Sequence, residues 1–160
     1  MIQQERKGFT WISLLTILVI LSMLLMAGAS HWATWRVKQA KHVLFHDIAR
    51  ALAFTRAEAL LRGETLELSP VDFTGNWALG IRLYPIDEKN TAIKTWQWQL
   101  PDGMQLTWHG FLGQDKLVVN AKPESLAMNG YFLLENTRLG SEQWVVSRLG
   151  RMRVLRKHVA

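Results

Sequence analysis

The sequence contains no cysteine. That excludes a disulfide framework, thiolate zinc sites, iron–sulfur clusters and a cysteine nucleophile, so stability rests on packing and hydrogen bonding. Proline is scarce, 4 in 160 residues, and none precedes Pro70, which leaves the first part of the chain free to run as uninterrupted helix. Charge is also missing: from Gly8 to Trp35 there is no Asp, Glu, Lys or Arg. The mean hydropathy of +0.01, high for a chain that is 20% charged, is therefore the average of an apolar segment and a mixed-polarity remainder. The length suits a single domain.

The formal net charge of +6 is equally uneven. Met1 to Gly8 carries Glu5, Arg6 and Lys7, the stretch between is balanced, and the last residues carry Arg148, Arg151, Arg153, Arg156 and Lys157 with no acid among them. Clustered charge makes a local field that dispersed charge does not, so an anionic partner is expected at this tail.

A helix needs about 20 apolar residues to cross the hydrocarbon core of a bilayer. Phe9 to Met26, followed by Ala27, Gly28, Ala29 and Ser30, supplies them. The expectation is a transmembrane half-helix over residues 9–35. Ala27-Gly28-Ala29 is the nearest match to a small-residue cleavage site behind the apolar run, and processing ahead of the run is the alternative. Beyond the span the pattern becomes amphipathic: Val37, Ala40, Leu44, Ile48, Ala51, Thr55 and Ala59 recur at helical steps over residues 36–63. One helix from Phe9 to Arg62 is predicted, capped by Gly63.

After Gly63 the period changes to two. Leu66 with Leu68, Leu79 with Ile81 and Leu83, Trp96 with Trp98 and Leu100, Leu106 with Trp108, and Leu117 with Val119 read as half-buried strands. Tyr131 to Glu135, Gln143 to Arg148 and Arg151 to Arg156 follow. Turn residues separate them, among them Pro101-Asp102-Gly103 and Asn129-Gly130. The predicted fold class is α+β: one antiparallel sheet of six to eight strands over residues 64–160, packed on the amphipathic half of the helix. Trp96 and Trp98 are read as sheet filler, with a stacking platform for bases as the alternative.

Lys7-Gly8-Phe9-Thr10-Trp11-Ile12-Ser13-Leu14-Leu15 resembles the class III signal of type IV pilins and type II secretion pseudopilins. The resemblance implies a basic leader, residues 1–8, cut by a prepilin peptidase between Gly8 and Phe9, N-methylation of Phe9, and a pilin-like fold. It also implies an inner-membrane anchor with the head in the periplasm; the bases on both flanks of the span give no orientation by themselves. Where that family nearly always has Glu this chain has Ser13, which suggests a position at the filament tip, with no neighbouring amine to neutralise. The alternative is a Ser13 hydroxyl bonded to the backbone one turn back.

Thr55 to Gly63, Leu100-Pro101-Asp102-Gly103-Met104 and Ser147 to Arg153 further resemble the minor pilins FimT and FimU and the pseudopilin GspH. Gly150-Arg151-Met152-Arg153 is similar to the Gly-Arg-x-Arg signature that in FimT implicates the C-terminal region in DNA binding during natural transformation. In a strand Arg151 and Arg153 share one face about 7 Å apart, near the phosphate spacing of a nucleic-acid strand. Arg148, Arg156 and Lys157 would lengthen the stripe, with double-stranded DNA as the partner. A GspH-like role, in which the tail meets other subunits and DNA is irrelevant, is the alternative.

Nothing in the sequence announces catalysis. It has no phosphate loop, no Gly-x-Ser-x-Gly elbow and no His-Glu-x-x-His. His42 and His46 lie one turn apart on the predicted helix but without an evident third ligand. The expectation is no enzyme, no cofactor and no metal, with other pilins, met through the N-terminal helix, as partners.

Overall fold

The structure is a computed structural model that describes residues 11–72, 74–88, 91–111, 116–122, 128–137 and 140–155, the side chains of residues 27–31 excepted. The chain divides into two compact units, Met1–Lys38 and Gln39–Ala160, and helix α1 (Trp11–Arg62) contributes to both.

In the first unit α1 presents apolar side chains all round. From Trp11 to Met26 every residue is exposed except the half-buried Ser13. The hydroxyls on this stretch turn back on the helix: Thr16 Oγ1 donates to the Ile12 carbonyl at 2.8 Å and Ser22 Oγ to that of Val19 at 2.8 Å, so the surface offered outward is hydrocarbon. The expected span over residues 9–35 includes residues 9 and 10 and the side chains of 27–31, all outside the description. Among the described residues no helix is long and apolar enough to cross a membrane.

In the second unit α1 carries the predicted stripe: Leu44, Ile48, Ala51, Thr55 and Ala59 are buried, and Leu52 joins them. Arg62, in the last turn, donates to Glu58 at 2.7 Å. Gly63 ends the helix in the left-handed conformation, φ 68°, and its N–H bonds the Ala59 carbonyl at 3.0 Å, which is the cap the sequence predicts.

Eight strands follow: β1 (Leu66–Pro70), β2 (Gly80–Pro85), β3 (Lys94–Gln97), β4 (Met104–Gly110), β5 (Leu117–Val119), β6 (Gly130–Asn136), β7 (Gly140–Val146) and β8 (Met152–Leu155). They form two four-stranded antiparallel sheets, with orders β3-β2-β1-β5 and β4-β6-β7-β8. This corrects the expectation of a single sheet. The reason lies in Asn76 and Trp77, which occupy the bonding edge of β4 that a further strand would need. Asn76 Oδ1 accepts from the N–H groups of Ala78 and Leu106, both at 3.0 Å, and Trp77 N–H donates to the Leu106 carbonyl at 2.8 Å. The two sheets meet through this bracket rather than through a ladder.

The inner faces of both sheets pack on α1. Phe54 meets Trp96 of β3 edge-on, centroids 5.6 Å apart, and Phe45 meets Trp144 of β7 the same way at 5.3 Å. Trp77, Trp108 and Phe132 form the aromatic centre of the core, with Trp108 to Phe132 at 4.7 Å and Trp77 to Phe132 at 5.3 Å. Such pairs add about 0.5–1.5 kcal/mol each beyond their area. Trp98 and Leu100 lie beyond the end of β3, so Trp96 and Trp98 do not share a strand. The deepest tryptophans are Trp77, Trp108 and Trp144. Gly130, expected in a turn, is the first residue of β6, where the Trp108 indole lies directly over it.

Candidate nucleic-acid interface

The basic tail of the sequence enters the fold as a hairpin. Ser147 to Arg151 join β7 to β8, and the bonding of Ser147 to Arg151 closes a three-residue loop, Arg148-Leu149-Gly150. Ser147 N–H donates to the Arg151 carbonyl at 2.9 Å, Gly150 N–H to the Ser147 carbonyl at 2.8 Å, and Arg151 N–H to Ser147 Oγ at 3.1 Å. Gly150 has φ 74°, the left-handed residue that three-residue hairpin loops require after a type I turn. A Cβ there would also stand 3.1 Å from Met128 Sδ. The glycine of the Gly-Arg-x-Arg motif is thus a turn residue.

Register decides where the arginines go. Val145 pairs Arg153, Val146 pairs Met152 and Trp144 pairs Val154. Because directly opposed residues share a face, Met152 and Val154 belong with the buried Trp144 and Val146. Arg153 belongs to the outward face, and Arg151, two residues earlier, falls in phase with it. Both are exposed. Arg151 lies one residue ahead of β8, and Val154, on the edge strand, is exposed as well.

Trp144 fixes the hairpin from beneath. Its Nε1 donates to Glu142 Oε1 at 3.1 Å, and Glu142 Oε2 takes Lys41 Nζ of α1 at 2.5 Å. At the turn, Arg56 Nη1 of α1 donates to the Leu149 carbonyl at 3.0 Å. Leu149 itself is exposed beside Leu60 of the helix end, and both line a groove of about 430 Å³ between α1 and the turn.

The outward face adds residues that the sequence reading missed. Across the sheet, Arg153 of β8 is followed by Val145 of β7, Tyr131 of β6 and His109 of β4 in a single row. Tyr131 and His109 stack, centroids 5.0 Å apart and planes 21° apart. The neighbouring row is Leu155, Gln143, Leu133 and Thr107, so neither row carries an acid. The only signal in the sequence is that Tyr131 alternates with the buried Phe132; its alignment with Arg153 is a property of pairing between distant segments.

The other predicted site residues stand as follows. Arg148 is exposed in the hairpin turn and makes a polar contact of its own. Arg156 and Lys157, and at the other end Gly8 and Phe9, lie outside the described residues. Ser13 lies in the first turn of α1 and also makes a polar contact. His42 and His46 are both exposed. Among the described residues no group of three or more His, Asp or Glu is placed to hold a metal ion.

No protein-family model and no curated protein matches the sequence. Solved structures do match the fold. The type IV minor pilin FimU of Pseudomonas aeruginosa in one crystal form is similar at a TM-score of 0.53 and 13% identity, over 78% of this chain and 91% of that one. A second crystal form of FimU gives 0.52 and 11% over 72% and 92%. The minor pseudopilin EpsH of the Vibrio cholerae type 2 secretion system gives 0.46 and 14% over 75% and 96%. A long helix followed by antiparallel sheets packed on its second half is thus the architecture shared with FimU, and the chain has the type IV pilin-like fold.

Proposed function

We propose that the chain is a minor pilin subunit of FimT-like function, carried in the inner membrane and assembled with other pilins into a type IV filament. On this reading a prepilin peptidase removes residues 1–8, Phe9 becomes the methylated N-terminus, and the apolar helix over residues 9–35 anchors the subunit in the bilayer before packing against its neighbours. The all-round apolar surface from Trp11 to Met26 supports it, since water is a poor solvent for such a surface and lipid or other helices are good ones. Ser13 in place of a carboxylate supports a place at the tip. The reading gives the chain no catalytic role.

The head then binds double-stranded DNA through the β7–β8 hairpin. One observation carries this: Arg153 stands on the outward face of an edge strand, in a row free of acids, with Arg151 exposed two residues before it. Guanidinium forks held at strand spacing grip phosphates without reading bases, so the binding is independent of sequence and falls steeply with salt. The full-length protein in detergent micelles, titrated with duplex from 50 to 200 mM salt, tests it. Arg151→Ala with Arg153→Ala should flatten the plot of log K against log salt by about 1.8, two phosphate contacts at about 0.9 each. No binding at 50 mM, or an unchanged slope, removes the reading.

A second reading rests on the groove beside the same hairpin. Leu60, Leu61 and Leu149 are exposed at the helix end, an apolar surface suited to another subunit's head. A GspH-like pseudopilin of type II secretion would use it, and the arginines would then rim a protein contact. Cross-linking at Leu149 to a neighbouring subunit, together with indifference to DNA, would favour it.

A further inference from the structure

β8 is the last strand of its sheet, and among the described residues no strand pairs with its far side. Which backbone groups are left there follows from the turn. Bonded and non-bonded pairs alternate along an antiparallel ladder. Ser147 bonds Arg151 across the loop, so the next bonded pair is Val145 with Arg153. The N–H and C=O groups of Met152 and Val154 therefore point away from β7, along the open edge. An edge of this kind is a template for another strand.

The side chains beside the edge say what strand it takes. Val154 lies on the inward face with the buried Trp144, yet is 43% exposed, because the sheet ends at β8. Toward the turn, the groove of about 430 Å³ opens between α1 and the hairpin; α1 presents Ala53 and Ala57 to it, whose small side chains leave room, and Leu149 stands exposed at its rim. The inward side of an added strand is thus apolar. On the outward side stands Arg153, and from Arg148 to Leu155 the chain carries three arginines and no acid.

Charge then selects the partner. In an added antiparallel strand the residues opposite Met152 and Val154 make the bonded pairs, and Arg153 falls in a non-bonded pair, where opposed side chains come closest. Two copies of β8 joined about their centres would set Arg153 against Arg153 at that spacing, which is destabilising. A carboxylate in the same place is stabilising. The arginines thus bar self-pairing, as charges on sheet edges commonly do, without barring an acidic strand.

We propose that β8 takes up an extended strand of another protein by edge addition, one that alternates acidic and apolar residues: apolar side chains opposite Met152 and Val154, toward the groove, and a carboxylate opposite Arg153. The proposal rests on the open edge and its charge, not on DNA binding at the same arginines or on the choice between pilus and secretion system.

The test is fluorescence anisotropy of a labelled, capped peptide, Val-Glu-Val-Glu-Val-Glu-Val, titrated with the full-length protein in detergent micelles, with empty micelles as the blank. Saturable binding with Kd on the order of 10 μM is expected. The same peptide methylated at its valine nitrogens lacks the donors that meet Met152 and Val154 and should bind at least about 10-fold more weakly. Arg153→Glu should weaken the parent peptide about 10-fold and bind the Lys-Val counterpart in its place, a gain that damage to the fold cannot produce. Val154→Pro removes an outward donor and leaves the ladder with β7 intact, and should weaken binding about 5-fold. No binding at about 100-fold the expected Kd, a methylated peptide bound as tightly as its parent, or Arg153→Glu without the exchange of preference overturns the proposal. Binding of duplex DNA without binding of the peptide also overturns it, and leaves the DNA reading standing.

Discussion

Gly130 sits under the Trp108 indole, and replacing it by Ala tests whether that ring is held as tightly as the aromatic cluster implies. A Cβ at Gly130 would stand 2.4 Å and 2.5 Å from Trp108 Cη2 and Cζ2 and 2.6 Å from the His109 carbonyl oxygen. Ordinary carbon contacts are about 3.5–4.0 Å, so the ring must retreat by more than about 1 Å. It has little room, with Phe132 at 4.7 Å and Trp77 at 6.5 Å. Overpacking of this kind costs about 1–3 kcal/mol and occasionally more. Ala restricts the unfolded chain more than Gly does, which returns up to about 1 kcal/mol. With ring and backbone atoms both inside 2.6 Å the upper end of that cost applies, so a net loss of about 2 kcal/mol is expected, or roughly 8 °C in Tm for a domain of this size. Thermal unfolding followed by near-ultraviolet circular dichroism reads both the stability and the tryptophan packing. Trp108→Phe removes the two offending ring atoms, so in that background Gly130→Ala should lose only the part due to the His109 carbonyl, about 1 kcal/mol. Equal losses in both backgrounds, or no loss in either, would refute the reasoning.

Asn76→Ala strips the acceptor from two backbone N–H groups and should destabilise the head by about 2–3 kcal/mol, seen as a lower urea midpoint with the m-value kept. Gly63→Ala places a Cβ in a left-handed cap with open space around it, so the loss should be purely conformational, about 1 kcal/mol. Lys116→Met deprives the buried Glu67 carboxylate of its 2.9 Å cation and should cost about 1–2 kcal/mol, whereas Arg50→Met, at an exposed 3.5 Å pair with Asp47, should change stability by less than about 0.5 kcal/mol. Mass spectrometry of the protein expressed with a prepilin peptidase should find a methylated chain starting at Phe9; a chain starting at Met1 or after Ala29 contradicts the processing proposed above.

What the sequence made legible is what repeats over short distances. The step of three or four from Leu44 to Ala59 set the buried face of α1, Gly63 marked its end, and the alternation of Met152 and Arg153 set which side of β8 each takes. What it hid depends on segments far apart in the chain. β1 pairs with β5 some fifty residues later, β4 turns away to begin another sheet, and nothing local to Leu106 says that Asn76 will occupy its edge. The Tyr131 and His109 row behind Arg153 was hidden for the same reason. Trp98 misled because its alternation with Trp96 outlasts the strand, which ends at Gln97 opposite Gly80.

The order in which the strands are laid down has a kinetic consequence. β5 completes the first sheet only after β4 has entered the second, so the two sheets are interleaved along the chain and no single cut in the head leaves both of them whole. Pairing of β1 with β5 closes a long loop before it yields contacts, and topologies of this kind fold slowly for their size. The head is therefore expected to appear in one late cooperative step, and a nascent subunit would wait with its apolar strands uncovered until the last hairpin arrives.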